Sequence, residues 1–244
     1  MGGYDPGAYG GHWADVYDHF HESRLATDPT VEFLAQLAGS EPVLELGVGT
    51  GRVAVPLAER GLEVHGIDAA EAMLARLREK PGGEKIVLTL GDFADVGVDG
   101  RFSLIFVVFN TLFSLLTQDD QTRCFTNAAA KLADGGTFVV EAFVPDLGRF
   151  DRGQRTQTSE LDDDQVVLEA SLHSAASQRV RSHHVVLEPG GNRFYPVELR
   201  YSWPSELDLM ARIAGLSLRK RFGGWRNEPF TDDSQTHVSV YKRA

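Results

Sequence analysis

The chain has 244 residues, 42% of them hydrophobic, enough for one large domain, or a domain with a sub-domain, built around a real core. Its 24 Lys plus Arg against 35 Asp plus Glu leave a formal net charge of -11, which argues against non-specific nucleic-acid binding and suits a protein that handles neutral or cationic small molecules. Cys124 is the only cysteine, so no internal disulfide can form; with no signal-peptide run and no membrane-length apolar segment, the expectation is a cytoplasmic protein without nucleic-acid or membrane partners.

The first dozen residues are rich in Gly and Tyr and read either as a mobile terminus or as a lid. A short helix is expected over "WADVYDHF". A second is expected over "PTVEFLAQLA", with Asp28 as N-cap and Pro29 at its first helical position. Strand and helix then alternate. "PVLELG" is a strand, "RVAVPLAERG" a helix, "LEVHGID" a strand, and "AAEAMLARLREK" a helix stopped by "PGG". "KIVLTLGD" and the largely apolar "FSLIFVVFN" are strands. "QDDQTRCFTNAAAKLADGG" is a helix with Gly135 near its cap and Cys124 as a small buried residue, and "GTFVVEAF" is the next strand. This rhythm predicts an α/β fold with a parallel sheet and right-handed crossovers.

Between Arg149 and Trp203 the rhythm stops. "QVVLEASLHS", "QRVRSHHVVLE" and "FYPVELRYSW" read as strands, and Tyr195, Val197, Leu199, Tyr201 and Trp203 alternate to give one apolar face. The stretch predicts an antiparallel β insertion. Beyond it "SELDLMARIAGL" is a helix capped by Ser205 and ended by Gly215, and "LSLRKRFGG" and "HVSVYKR" form a final hairpin. Four regions follow: 1–40 an N-terminal helical cap or lid, 41–150 the α/β core, 151–203 the insertion as substrate cover or dimer contact, and 204–244 the completion of the core sheet.

Gly47, Gly49 and Gly51 follow the first strand directly. Glycine there removes the Cβ that would block a ligand from the backbone, and the next helix offers its unpaired N–H groups at the turn. Asp68 ends the second strand, where a carboxylate either accepts from a ribose diol or caps the following helix. Asp92 ends the third, where it either receives an adenine amino group or caps its own loop. Groups at several strand ends on one edge place a site at the carboxyl edge of the sheet. A dinucleotide fingerprint is less apt, because the third glycine comes one position early.

Taken together, "LELGVGTGR", "GID", "EAML", "GDF" and "VVFNTLFSLL" resemble the successive motifs of class I S-adenosylmethionine-dependent methyltransferases. The insertion is similar to that of the small-molecule type, the glycine and aminosugar N-methyltransferases of natural-product pathways. The resemblance implies a Rossmann-like, seven-stranded, mostly parallel sheet with its last strand antiparallel, plus the antiparallel insertion after the fifth strand. It implies S-adenosylmethionine as cofactor and S-adenosylhomocysteine as product.

Carried onto this chain, the resemblance puts Glu45, Gly47, Val48, Gly49 and Gly51 along the methionine part of the cofactor and Asp68 on the ribose. Ala69, Met73, Gly91, Asp92 and Phe93 fall around the adenine, with core packing beside Leu74 and Leu77 as the alternative for Met73. Phe109 and Asn110 fall near the sulfonium. Tyr17 falls over the methyl group, or else anchors its helix, and Arg24 pairs with the cofactor carboxylate or stays solvated. Ser114, Phe143, Tyr201 and Trp203 fall on the acceptor side. Ser114 departs from relatives that carry a histidine there.

Methyl transfer is an in-line displacement that needs alignment, exclusion of water and an unprotonated acceptor. The candidates to assist are Tyr17, Asn110 and Glu141; His183 and His184 are adjacent on a strand, so at most one of them faces a pocket. No spacing suggests a metal. The expected activity is methylation of a small molecule, amine over alcohol, by a monomer or homodimer; the alternatives are methylation of a peptide N-terminus and a non-catalytic binding protein.

Overall fold

Phe102–Val107 (β4) is apolar at all but one position and buried at every one, which is what a strand needs at the centre of a sheet covered on both faces. Around it the structure, a computed structural model that describes residues 7–18 and 27–244, assembles a seven-stranded sheet. Its members are β1 (Val43–Leu46), β2 (Val64–Asp68), β3 (Val87–Leu90), β4, β5 (Leu132–Phe143), β10 (Leu216–Phe222) and β11 (Thr236–Arg243), in the order β10-β11-β5-β4-β1-β2-β3. All neighbouring pairs from β3 to β5 are parallel, and β11 runs antiparallel to both β5 and β10. The expected Rossmann-like architecture is present.

One face of the sheet buries Leu44, Leu46, Ile105, Val107 and Phe138 against α5 (Gln118–Lys131) and α6 (Pro204–Ile213). The other buries Val43, Leu104, Phe106 and Val139 against α2 (Thr27–Leu37), α3 (Ala54–Glu59) and α4 (Glu71–Glu79). Cys124 is fully buried in α5, and burial pushes its thiol pKa up, so it packs as a small apolar residue.

Four more strands, β6 (Gln154–Leu161), β7 (Val166–Ser174), β8 (Arg179–Glu188) and β9 (Gly191–Arg200), form a separate antiparallel meander between β5 and α6. Sequence reading finds three of these and misses β6, because "QRTQTSEL" has no apolar alternation. It is an edge strand whose contribution is backbone pairing with β7. The meander is tied back to the core by the buried Arg200. Its guanidinium donates to Gln121 (2.7 Å), Ser202 (2.8 Å), Gln178 (2.9 Å) and Glu206 (2.7 Å), joining the end of β9 to α5 and α6. Residues 7–18 close the angle between sheet and core. Trp13 and Ala14 pack with Ala70 and Met73 of the core and with Val167, Val186 and Tyr195 of the meander.

Several local expectations are corrected. A helix not expected from the sequence, α1 (Ala8–Trp13), precedes "WADVYDHF", in which Tyr17 and Asp18 are helical and residues 19–20 lie outside the described residues. Asp28 and Pro29 lie inside α2 rather than before it, so Asp28 is a first-turn acid and not the cap. Gly135 belongs to an irregularity in β5, where the β4–β5 register shifts, because Leu132 already pairs with Phe102. Ser205 is inside α6, whose N-cap is Trp203; Pro204 takes the first helical position, where its missing N–H costs nothing.

Candidate functional site

The carboxyl ends of β1, β2 and β4 open into a cavity of about 390 Å³, within the range of small-molecule sites. It lies where the strand order reverses, between β1 and β4, the usual place for a ligand in an open parallel sheet. Its floor is the turn after β1. Gly47 and Gly49 have φ of +70° and +55°, a left-handed backbone that favours glycine. A Cβ on Gly47 would stand 2.4 Å from Thr111 Cγ2, whereas one on Gly49 would meet nothing within 4 Å. The first glycine lets β1 and β4 approach; the second leaves space in the site.

Asp68 locks this turn. Its Oδ2 accepts from the Gly49 N–H and its Oδ1 from the Ala70 N–H, both at 2.9 Å. Burial raises its pKa, and the donated N–H groups oppose the rise. Beneath the turn Glu45 is buried, and its Oε2 finds no partner among the described residues. Burial pushes its carboxyl pKa up to about 8, against the pull of the Arg52 cation and a hydrogen bond from the Ala54 backbone.

At the end of β4, Phe109 and Asn110 are consecutive non-glycine residues with φ of 55° and 62°. Such strain persists only where the surroundings enforce it, and here they do. The Phe109 N–H donates to Glu141 Oε2, and the Phe143 N–H donates to Asn110 Oδ1, each at 2.7 Å. Ser114 donates to the Thr111 carbonyl at 2.8 Å on the same wall. Ala69, Met73 and Phe93 complete the side nearest β2 and β3.

The roof comes from residues 7–18 and from the meander. Gly10, Trp13 and Tyr17 line the cavity from above. Gly10 is obligatory to that packing, since a Cβ there would stand 2.3 Å from the Ala70 Cβ. Trp13 donates through Nε1 to the Pro196 carbonyl at 3.2 Å and meets the His184 ring edge-on at 5.3 Å. Asp18 accepts from the Thr50 hydroxyl and pairs with Lys80, both at 2.6 Å, pinning the roof to the glycine turn. Burial raises the Tyr17 hydroxyl to about 12, so it stays protonated at neutral pH.

The structure thus brings together Tyr17, Gly47, Gly49, Asp68, Ala69, Met73, Phe93, Phe109, Asn110 and Ser114. Phe143 and Tyr201 line an adjoining chamber of about 130 Å³. The other expected residues stand elsewhere. Val48 donates its N–H to the Ile67 carbonyl and packs its side chain on Gly66; Gly51 abuts Leu77; Gly91 donates to the Asp68 carbonyl. Asp92 accepts the Ala94 N–H through Oδ1 at 2.9 Å and lines neither chamber. Glu141 is taken up by the Phe109 backbone and is a positioning group rather than a lining one. Trp203 is 40% exposed at the head of α6. Arg24 lies outside the described residues.

Sequence reading missed Gly10, Trp13 and Thr111, and left His184 undecided. The alternation of β8 turns His184 inward to line both chambers and sets His183 on the opposite face, near Phe194. Among the described residues no cluster of metal-ligating side chains forms, and no helix is long and apolar enough to cross a membrane.

A model described as a methyltransferase domain matches residues 43–136. The structure of the CcbJ methyltransferase from Streptomyces caelestis is similar at 46% identity and a TM-score of 0.93, over 99% of this chain and 100% of that one. A cypemycin N-terminal methyltransferase from a Streptomyces species is 28% identical over 98% of this chain and 99% of its own. The dTDP-4-amino-2,3,4,6-tetradeoxy-D-glucose N,N-dimethyltransferase of Saccharopolyspora spinosa is 26% identical over 74% of each.

Proposed function

The chain belongs to the class I S-adenosylmethionine-dependent methyltransferases, and on that premise we propose that it methylates an amine of a small natural product. The carrying observation is the double character of the cavity. One end has the glycine turn, Asp68 and Phe93, and the other runs on to His184, Val197 and Leu199 of the meander.

The residues present fit the cofactor. The turn without side chains at Gly47 and Gly49, the carboxylate at the end of β2 and the apolar Ala69, Met73 and Phe93 match its polar and aromatic parts. S-adenosylmethionine supplies an electrophilic methyl group with its leaving group already attached. Asp68, through the oxygens' remaining lone pairs, would accept from the ribose; Met73 and Phe93 would hold the adenine. The strained Phe109–Asn110 pair, fixed by Glu141 and the Phe143 backbone, sets the wall where the methyl group would face the acceptor. Trp13 and Tyr17 exclude water from above.

An alkyl ammonium of pKa near 10.4 costs roughly 4–5 kcal/mol to deprotonate at pH 7. His184, on the boundary between the chambers, is the group placed to take that proton. Methylation of a peptide N-terminus is the second reading, favoured by the full-length similarity to the cypemycin enzyme.

Incubation with methyl-labelled S-adenosylmethionine and a panel of small amines, phenols and short peptides tests the proposal. Label on small amines, lost in His184→Ala with cofactor affinity retained, is the expected result. Label on phenols or peptides alone overturns it.

A further inference from the structure

Trp13 ends α1, is 1% exposed and lines the main cavity. It joins the core to two strands of the meander. Its apolar neighbours are Ala70 and Met73 on the core side and Val167 and Val186 in the meander. Its indole N–H donates to the Pro196 carbonyl on β9 at 3.2 Å. Its ring meets Tyr195 at 5.0 Å and stands edge-on to His184 of β8, with 5.3 Å between centroids and 81° between planes. The helix that carries it is seated in turn. Gly10 lies too close to Ala70 for any Cβ, and beyond Trp13 the chain is tied down by the Asp15–Arg76 and Asp18–Lys80 pairs.

His184 needs a neighbour of this kind. The torsion that turns an imidazole about its Cβ–Cγ bond is broad and roughly two-fold. A strand therefore fixes where the side chain leaves the sheet but not which way its ring faces. The register neighbours of His184 are Glu169 on β7 and Tyr195 on β9, both within the meander. Trp13 reaches the ring from the roof, near a right angle, and the bond from its own nitrogen to Pro196 keeps the indole from turning away. A group that takes a proton is useful only when aimed, and a misplacement of about 1 Å costs about a hundredfold in rate.

We propose that Trp13 is a positioning residue for His184. Seated on the core and bonded to β9, it holds the imidazole facing the acceptor amine, so that the closed roof and the aimed base are one arrangement. The proposal rests on the reading of His184 as the proton acceptor given above. Trp13 itself takes no proton, since an indole N–H only donates.

One test needs no turnover. Crystal structures of the S-adenosylhomocysteine-bound native protein and of Trp13→Leu are expected to show a single His184 ring orientation in the first and a rotated or mobile ring in the second. An unchanged ring in Trp13→Leu overturns the positioning role.

The second test compares kcat for cyclohexylamine, an ammonium at pH 7, with kcat for aniline, an amine of the same ring size that is neutral there. Trp13→Leu is expected to lower kcat for cyclohexylamine by at least about tenfold, and the milder Trp13→Phe by less. Both variants are expected to stay near the native kcat for aniline, the pattern that His184→Ala also gives. Cooperative thermal unfolding shows that the variants are folded, and Trp13→Phe carries the kinetic comparison if Trp13→Leu does not fold. An equal loss on both amines, or no loss on cyclohexylamine, overturns the role of Trp13. If His184→Ala keeps the native rate on cyclohexylamine, or the native protein methylates neither amine, the reading of His184 as the base falls instead, and the ring orientation alone decides for Trp13.

Discussion

The Glu141 carboxylate accepts the Phe109 main-chain N–H at 2.7 Å and so holds the first of two left-handed residues at the end of β4. Burial raises the Glu141 pKa, while the Phe109 bond, Trp225 and the Arg52 cation oppose that rise. The group is thus an acceptor that positions the Phe109 wall of the site without lining it. Glu141→Ala leaves the Phe109 N–H without its partner, a loss of about 1–3 kcal/mol. Urea unfolding is expected to show that loss, with weaker S-adenosylhomocysteine binding beside it. Glu141→Gln keeps a carbonyl acceptor and is expected to recover most of both; equal losses in the two variants would mean the charge, not the hydrogen bond, matters.

Asp68 joins β2 to the glycine turn through Gly49 and to the start of α4 through Ala70. Its removal therefore loosens the floor as well as deleting the proposed ribose acceptor. Asp68→Ala is expected to weaken S-adenosylhomocysteine binding by at least about tenfold, near 1.4 kcal/mol, measured by calorimetry. An unchanged affinity in a folded variant would take Asp68 out of the site.

Gly47 and Gly49 separate fold from ligand. Both are left-handed, so an alanine at either costs about 1–2 kcal/mol. Gly47→Ala adds a clash, its Cβ lying 2.4 Å from Thr111 Cγ2, where Gly49→Ala meets open space. Thermal unfolding of the ligand-free protein is expected to fall further for Gly47→Ala. Gly49→Ala is expected to keep most of its stability and to lose cofactor affinity, because the new methyl points where the ligand would lie. Equal melting temperatures would remove the Thr111 contact as the reason for Gly47.

The parts of this arrangement that were legible in the sequence are those with a local signature. The apolar run of β4, the glycine turn and the carboxylate of Asp68 each announce themselves, and together they locate the sheet edge that carries the cavity. Glu141 was legible as a polar residue in an apolar strand but not as the partner of Phe109, because a bond across 32 positions has no local pattern. The roof was hidden for the same reason. Trp13 matters through Pro196 and His184, more than 170 residues away, and Gly10 through its closeness to Ala70. Strand β6 was hidden because an edge strand can be held by backbone pairing alone.

Two buried groups bound the stability of the ligand-free protein from opposite sides. Burial, aided by Arg221, holds His237 down to about 3; its Nδ1 meets Ser239 at 2.9 Å and its Nε2 has no partner among the described residues. An unfolded histidine takes its proton near 6.5, so the unfolded chain binds more protons below that pH. The contribution of His237 is thus complete above 6.5 and is lost as pH falls toward 3. Glu45 acts in the other direction. With its pKa raised from 4.5 to about 8, the folded chain binds more protons, so its contribution is complete below 4.5 and is lost as pH rises through 8. Glu45→Gln cannot ionise, so its melting temperature is expected to gain on the native protein as pH rises from 4.5 to 8. For His237→Gln the gain is expected as pH falls below 6.5. The slopes against pH carry the test, since each substitution also shifts the baseline; parallel curves for the native protein and Glu45→Gln would mean that Glu45 titrates as an ordinary exposed acid.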